Sequence, residues 1–370
     1  MAPPVPIPLT PPITLFPPAP KTTFTKDPKL QAALTRAVGT VCARRRIAPA
    51  DFPSPISIID LKTAVSGATA LPIAGFHENE EDYIASAGKV GVLYAAFMIR
   101  DMARRFALAR APKDEKDFFA QLNAQMGPAI ASAVPRLGLS SPIVKPDYGS
   151  MLQATRLGGG LNVHFKSGYE TSLNGMIIKG ENLPTSKCVK GVGYGYLNGS
   201  LAAHGFFTNP TGLGLWVGTD FNGTQPKVFI NTTNADKSEA VASTSDAMAR
   251  LLAIIIVSGV LSDTICGEMR TRLAGAIATN HGSDQSWITR SSVSHFIPDN
   301  ALTHDKVGLG TITVGKTKGT EVFSEVLGLD VAKIADLPGV KKFAIAYQNV
   351  HQTEIADIVT IIRETITTYG

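Results

Sequence analysis

The stretch Asp82–Met98 reads DYIASAGKVGVLYAAFM and joins a short polar approach to an apolar helix. Ser86 and Lys89 lie near the start of that helix, three residues apart. Residues with this spacing share one face of a helix, so the hydroxyl and the amine can meet. Burial beside another cation lowers the pKa of a lysine until it can accept a proton at neutral pH. The stretch therefore predicts a nucleophile, Ser86, beside a general base, Lys89.

A predicted β-hairpin precedes this helix. The residues from Pro55 to Thr63 form an apolar run ending in a polar turn, which is typical of a buried strand. Ala70–Phe76 has the composition of its antiparallel partner. A Ser-x-x-Lys pattern alone occurs about once by chance in a chain of this length, so the strand pair supplies context that the pattern lacks.

A hairpin leading into a Ser-x-x-Lys helix resembles the serine β-lactamases and penicillin-binding proteins, and it is most similar to the class A β-lactamases. The resemblance extends over nearly the whole chain after residue 25. It implies an α/β (α+β) fold, with an antiparallel sheet built from the N- and C-terminal segments, flanking helices and a mostly helical insertion. The implied division is a Pro-rich extended tail (1–24), a sheet domain (25–80 and 300–370) and a mostly helical domain (81–299).

The family has a second site motif, Ser-x-Asn, that follows a helix, and Tyr169–Ile178 resembles that helix. Asn182 then matches the asparagine that hydrogen-bonds the lysine and the substrate amide, while Gly180 replaces a proton-relaying serine. The alternative is Tyr196 with Asn198, which is similar to the Tyr-x-Asn of class C enzymes and would supply a phenolic hydroxyl. Either asparagine could instead cap a helix.

The predicted loop over residues 212–243 resembles the loop that crosses the mouth of the site in class A enzymes. In those enzymes it carries a glutamate that activates the deacylating water. No glutamate lies at the expected distance before Ala247. The carboxylates that the loop offers are Asp220, Asp236 and Glu239, and we expect each to have a surface role.

A third motif is the run His304–Thr311, which resembles the Lys-Thr-Gly strand that lines the site in this family. Lys306 would bind a substrate carboxylate, and Gly308 would let the substrate approach the strand backbone. Val307 replaces the threonine and removes a hydroxyl contact to the substrate. His304 could border the site.

The remaining elements follow from capping and periodicity. Thr244–Leu252 resembles the capped start of the family's core helix, and the apolar run from Leu251 to Leu261 continues it. The other predicted helices cover residues 29–45, 112–137 and 353–369, and the other predicted strands cover residues 321–327 and 342–350.

A competing motif, Gly310–Thr317, matches the phosphate-binding loop of nucleotide hydrolases. That loop requires a strand before it and a long helix immediately after it. The residues that follow, 318–323, instead resemble a hairpin turn that enters a strand. We therefore interpret the match as a hairpin.

Composition limits the possible partners and cofactors. The net charge is +5, and the only cluster of cations, Arg44–Arg46, is typical of an exposed helix end, so we expect no nucleic-acid partner. The apolar run from Leu251 to Leu261 is too short for a membrane span. The 3 cysteines and 7 histidines show no spacing of a metal site, and we expect neither a metal nor another cofactor.

The first twenty residues lack the basic start and apolar centre of a secretion signal. Their absence favours a cytoplasmic location, although many members of the family that the chain resembles are exported. The sequence leaves the oligomeric state open.

The resemblance implies a serine hydrolase or acyltransferase that forms an acyl-enzyme on Ser86. The expected substrate is a small amide or ester, such as a β-lactam, a peptide or a simple ester. Because no loop glutamate is found, we expect slow or absent β-lactam turnover. The alternative is a catalytically impaired binding protein with the same fold, which Gly180 and Val307 favour.

Overall fold

The computed structural model describes residues 14–16, 20–61, 70–133, 144–157, 160–208, 213–231, 238–282, 293–314, 317–337 and 341–370. The α-helices are α1 (Pro28–Arg45), α2 (Lys89–Arg110), α3 (Glu115–Ala133), α4 (Tyr148–Met151), α5 (Ser167–Ile177), α6 (Asn182–Val192), α7 (Tyr194–Ala203), α8 (Ser245–Ile256), α9 (Asp263–Gly282) and α10 (Ile355–Tyr369). The β-strands are β1 (Thr23–Lys26), β2 (Ile56–Asp60), β3 (Ala70–Phe76), β4 (Glu81–Tyr83), β5 (Leu152–Leu157), β6 (Gly160–Phe165), β7 (Phe207–Thr208), β8 (Leu213–Gly214), β9 (Trp216–Val217), β10 (Ile230–Asn231), β11 (Ser238–Glu239), β12 (Val241–Thr244), β13 (Leu302–Val314), β14 (Thr317–Asp330) and β15 (Lys342–Val350).

The main sheet has six strands in the order β1-β3-β2-β15-β14-β13. Strands from both ends of the chain meet where β2 pairs with β15, and every neighbouring pair from β3 to β13 is antiparallel. The predicted antiparallel sheet is therefore confirmed, with one addition. Strand β1 runs parallel to β3, with Thr23 opposite Ala70. It covers polar backbone groups that would otherwise line an open sheet edge.

Helices cover both faces of the sheet. On one face, α1 and α10 pack together and bury Ile58 of β2 and Ile345 of β15. On the other face, α8 packs on β2 and β15, and the Oγ atoms of Ser57 and Ser245 lie 2.9 Å apart. Helix α2 lies inside a hydrophobic cluster separate from the one that contains Ile58 and Ile345. All residues of α2 from Lys89 to Arg100 are buried. A helix buried all round is the centre of its domain rather than a surface element.

Two helix starts follow the local signals in the sequence. The Asp27 side chain accepts a hydrogen bond from the N–H of Leu30 at the start of α1. The Thr244 hydroxyl does the same for the N–H of Ala247 at the start of α8. The predicted core helix is too long, however, because α8 ends at Ile256 rather than at Leu261. The N–H of Gly259 turns back onto the carbonyl of Ile254 and closes the helix there.

The competing phosphate-loop motif is part of a β-hairpin. Residues 310–314 belong to β13 and Thr317 begins β14, and these strands are antiparallel, with Thr311 opposite Glu321. A strand where the phosphate loop needs a helix excludes that interpretation.

Within the described residues, every helix is too short or too polar to cross a lipid bilayer.

Strand β13 lies directly against the turn that carries Ser86. This turn is a 3-10 helix, Ala85–Gly88, that leads into α2. A Cβ atom on Gly308 would lie 2.3 Å from the carbonyl oxygen of Ile84 and 2.7 Å from the backbone nitrogen of Ala87. Only glycine permits this approach, because real Cβ contacts are never so short and both neighbours are backbone atoms.

We expect Gly308→Ala to lower the free energy of unfolding by about 1 to 3 kcal/mol, because the added methyl group must push β13 away from the turn. Urea unfolding would measure the change. Gly160→Ala in β6 is the matched control, since a Cβ there meets no atom within 4 Å. Equal stability of the two variants would contradict the close approach.

Candidate active site

The site is a small cavity beside Ser86. The cavity has a volume of about 250 Å³, and Asn182, Phe221 and Leu309 line it together with Ser86. Ser86 is partly exposed to it. Ala85 has a φ of 47°, a left-handed conformation that turns the chain sharply before Ser86. The N–H of Ala87 donates to the carbonyl of Ile84 at 3.1 Å and closes this turn.

Lys89 is the first residue of α2, and its side chain is fully buried. Its amine donates hydrogen bonds to the carbonyl oxygen of Gly180 at 2.6 Å and to Oδ1 of Asn182 at 2.9 Å. Burial and the positive charge of Lys306 lower the pKa of Lys89 to about 7, against an opposing effect of Glu181. At neutral pH a substantial fraction of this amine is therefore unprotonated and can accept a proton.

The bend between α5 and α6 delivers both acceptors to the amine. Gly180 has a φ of 71°, in the left-handed region that favours glycine, and Asn182 is the first residue of α6. A Cβ atom on Gly180 would lie 3.4 Å from Nζ of Lys306. A side chain at this position would therefore be strained by the backbone and would face the second lysine.

Lys306 lies in the middle of β13 and is 3% exposed. Burial lowers its pKa to about 8, and the neighbouring Asp305 opposes that shift. Side chains alternate along a strand, so Lys306 and Gly308 share the face that meets the Ser86 turn. Val307 points to the opposite face and is buried there.

Tyr196 and Asn198, the alternative motif, lie in α7 and are buried. The Tyr196 hydroxyl donates to the carbonyl of Leu15 at 3.4 Å. The Asn198 amide bonds both the N–H and the carbonyl of Val217, and so ties α7 to β9. The structure brings Asn182, and not this pair, to the lysine.

His304 is also placed away from the Ser86 cavity. Its Nδ1 lies 2.8 Å from the hydroxyl of Thr303. Burial, with the positive charges of Arg270 and Lys342, lowers its pKa to about 4. The described residues that line the Ser86 cavity include neither His304 nor Tyr196. Lys89, Lys306 and Val307 do not line it either.

The loop before α8 contributes a residue that the sequence motifs did not reveal. The ring centroid of Phe221 lies 5.5 Å from Nζ of Lys89. Asp220 holds the turn around it by accepting hydrogen bonds from the hydroxyl of Ser186 at 2.8 Å and the N–H of Gly223 at 2.9 Å. The sequence predicted a loop here, but nothing in the loop indicated which side chain would face the lysine.

The two other loop carboxylates have different positions. Glu239 lines the Ser86 cavity, and its charge together with burial raises the pKa of the Tyr83 phenol in the same cavity. The Tyr83 ring fills the space where Gly310 lacks a side chain. Asp236 lies outside the described residues.

No group of three or more His, Cys, Asp and Glu side chains suited to a metal is assembled in the part of the chain that the structure describes.

Comparison with known proteins identifies the architecture. No protein-family model and no curated protein sequence matches the chain. Among solved structures, the extended-spectrum β-lactamase TLA-3 superposes with a TM-score of 0.50 at 13% identity, covering 91% of this chain and 97% of that one. A β-lactamase from Chitinophaga pinensis gives 0.47 at 11% identity, covering 91% and 98%. The transpeptidase domain of penicillin-binding protein 3 from Burkholderia pseudomallei gives 0.43 at 12% identity, covering 93% of each chain.

The chain thus has a β-lactamase-like fold, as the sequence motifs predicted. At 13% identity the similarity concerns the fold alone. What the site can do depends on its own residues.

We expect Gly180→Ala to lower the free energy of unfolding by about 1 to 2 kcal/mol, since a residue with a Cβ atom is strained at this positive φ. Gly205→Ala is a matched control, because Gly205 has a φ of 77° and its Cβ would meet no atom within 4 Å. Chemical denaturation should give similar losses for both variants. An unchanged stability of Gly180→Ala alone would show that the bend does not require glycine.

Proposed function

We propose that this protein is a Ser-x-x-Lys serine hydrolase or acyltransferase that forms an acyl-enzyme on Ser86. The observation that carries the proposal is the buried amine of Lys89, which has a pKa of about 7, binds Asn182 and follows the Ser86 turn directly. Burial disfavours a charged lysine, so such an amine lowers the stability of the fold. A cost of this kind is expected where the amine has a function. A perturbed pKa in a cavity is typical of a catalytic group.

In the proposed reaction, neutral Lys89 accepts the proton of the Ser86 hydroxyl while Oγ attacks the substrate carbonyl carbon. The developing oxyanion accepts hydrogen bonds from backbone N–H groups, one of them from Ser86. When the intermediate collapses, the bond to the leaving group breaks and the acyl group remains on Oγ. Gly180 has no hydroxyl to relay a proton, so protonated Lys89 is the donor to the leaving group.

The substrate we propose is a small amide or ester, including a β-lactam or a peptide. Lys306 would attract a carboxylate on such a substrate, and the cavity of about 250 Å³ favours a small acyl group. Asp220 is a poor base for deacylation, because hydrogen bonds from Thr224 and Ser186 lower the pKa of its carboxyl despite burial. Glu239 lines the Ser86 cavity but lies in no recognised motif. We therefore propose slow or absent β-lactam turnover, and fast turnover that is lost in Glu239→Gln would contradict this.

A second candidate is a binding protein that keeps the fold without turnover. Two observations favour it: Gly180 cannot relay a proton, and the ring of Phe221 lies over the lysine on the loop side. Hydrolysis of a chromogenic cephalosporin and of a short-chain ester separates the two candidates. If neither is cleaved and a ligand raises the melting temperature, the binding function is correct.

We expect a fluorescent penicillin or a fluorophosphonate to add covalently to the wild-type protein and not to Ser86→Ala. Intact mass spectrometry measures the adduct. Lys89→Met is the companion variant, and its acylation should be at least about a hundredfold slower because the base is lost. An equal adduct on Ser86→Ala would contradict the assignment of the nucleophile.

The acylation rate should rise with pH through about 7 and then level off, because only neutral Lys89 accepts the serine proton. The burst of p-nitrophenol from an uncharged ester measures this step. Lys306→Met removes a positive charge that lowers the pKa of Lys89, so the midpoint should move to higher pH. Lys333→Met, at an exposed position, is the control and should leave the midpoint in place. A midpoint unaffected by Lys306→Met would contradict the coupling.

A further inference from the structure

We propose that Phe221 is a positioning residue that excludes water from Lys89 and so sets the lifetime of the acyl group on Ser86. The inference rests on the proposed function and deepens it. It identifies the element of the site that retains the acyl group. The lack of a glutamate at the position expected from class A enzymes explains only why one base for deacylation is absent.

The position of the ring is the first observation. Its centroid lies 5.5 Å from Nζ of Lys89, and Phe221 lines the same cavity as Ser86 and Asn182. The oxygen atoms of Gly180 and Asn182 already occupy two directions around the amine. The aromatic face covers the amine from the loop, and an apolar ring neither accepts a proton from water nor holds a water molecule in place.

The backbone of Phe221 is the second observation. Its φ of 60° is a left-handed conformation that a bulky residue rarely adopts, because it strains the backbone. Such strain persists only where the surroundings enforce it. Here Asp220 enforces it, through hydrogen bonds from the hydroxyl of Ser186 and from the N–H groups of Gly223 and Thr224.

The anchor of the turn is the third observation. Ser186 lies one turn after Asn182 on α6, so the two side chains share a helix face. Asn182 binds the amine of Lys89 at 2.9 Å, and Ser186 binds the carboxylate of Asp220 at 2.8 Å. One face of α6 therefore binds both the lysine and the turn that covers it. This fixes the position of the Phe221 ring relative to the amine of Lys89.

Deacylation shows why this cover matters. The oxygen of a water molecule must attack the acyl carbonyl carbon while its proton passes to neutral Lys89. The bond to Ser86 Oγ then breaks, and Oγ takes the proton back from the lysine. The carboxylic acid leaves and the enzyme is restored. A ring beside the amine keeps water from the position in which this proton transfer is possible.

The test compares Phe221→Gly with Phe221→Leu. Glycine accepts the left-handed backbone and removes the ring, whereas leucine keeps an apolar cover and serves as the matched control. Each variant is acylated with a fluorescent penicillin, and loss of the adduct is followed by intact mass. We expect the adduct to decay at least tenfold faster on Phe221→Gly and at close to the wild-type rate on Phe221→Leu.

Two further measurements distinguish exclusion of water from a loss of structure. The decay on Phe221→Gly should speed up as the pH rises through the titration of Lys89 and then level off. Hydrolysis by hydroxide in a loosened fold would instead keep rising with pH. Ser186→Ala keeps the ring and loosens its anchor, so it should give an intermediate decay rate. If Phe221→Gly is acylated too briefly for mass detection, the burst of p-nitrophenol from an ester should give way to linear turnover.

The outcomes separate this inference from the proposed function. An adduct that forms on the wild type and decays equally fast on Phe221→Gly overturns the role of Phe221 and leaves the acyl-enzyme intact. Faster decay that is equal in Phe221→Leu and independent of pH also overturns it. Absence of any adduct or burst on the wild-type protein overturns both proposals.

Discussion

The amine of Lys89 is buried out of reach of solvent, and a cation in such a place carries a desolvation penalty that its surroundings must offset. Two oxygen atoms accept its hydrogen bonds, and the face of an aromatic ring lies beside it. The charge of Lys306 opposes them. Burial and the charge of Lys306, opposed by Glu181, place the pKa of Lys89 at about 7, where the protonated and neutral forms are both populated. The elements around the site are arranged about this amine.

Three segments come together around Ser86 and Lys89. In each of them a particular backbone conformation makes the contact possible. Gly180 has a φ of 71°, and its carbonyl accepts a hydrogen bond from the amine of Lys89. Gly308 lets β13 approach the Ser86 turn more closely than any side chain would allow. Phe221 reaches the lysine from a loop whose left-handed backbone is held by Asp220. Two glycines and one strained residue thus fix the shape of the cavity.

Local signals predicted long helices such as α1, α2, α8 and α10 and five of the six strands of the main sheet. They did not predict α4, α6, α7 or the short strands from β4 to β12. The starts of α1 and α8 follow from Asp27 and Thr244, because capping depends on residues three positions apart. The failures occurred where distant segments intervene. Strand β1 forms because β3 offers an open edge. The proline-rich sequence before this strand gave no indication of it. The end of α8 came early because the turn at Gly259 closes it.

The same division holds for the site. The sequence by itself determined that Ser86 and Lys89 lie one helical turn apart, since that spacing is a property of the local backbone. It also identified the strand that carries Lys306. Only the tertiary structure decided between Asn182 and Tyr196, and only it placed Phe221 over the amine. The pKa of Lys89 likewise depends on burial and on charges supplied by segments 91 residues or more along the chain. Desolvation and Coulomb interactions act through space, so a sequence pattern indicates which groups are present and the fold decides their charge.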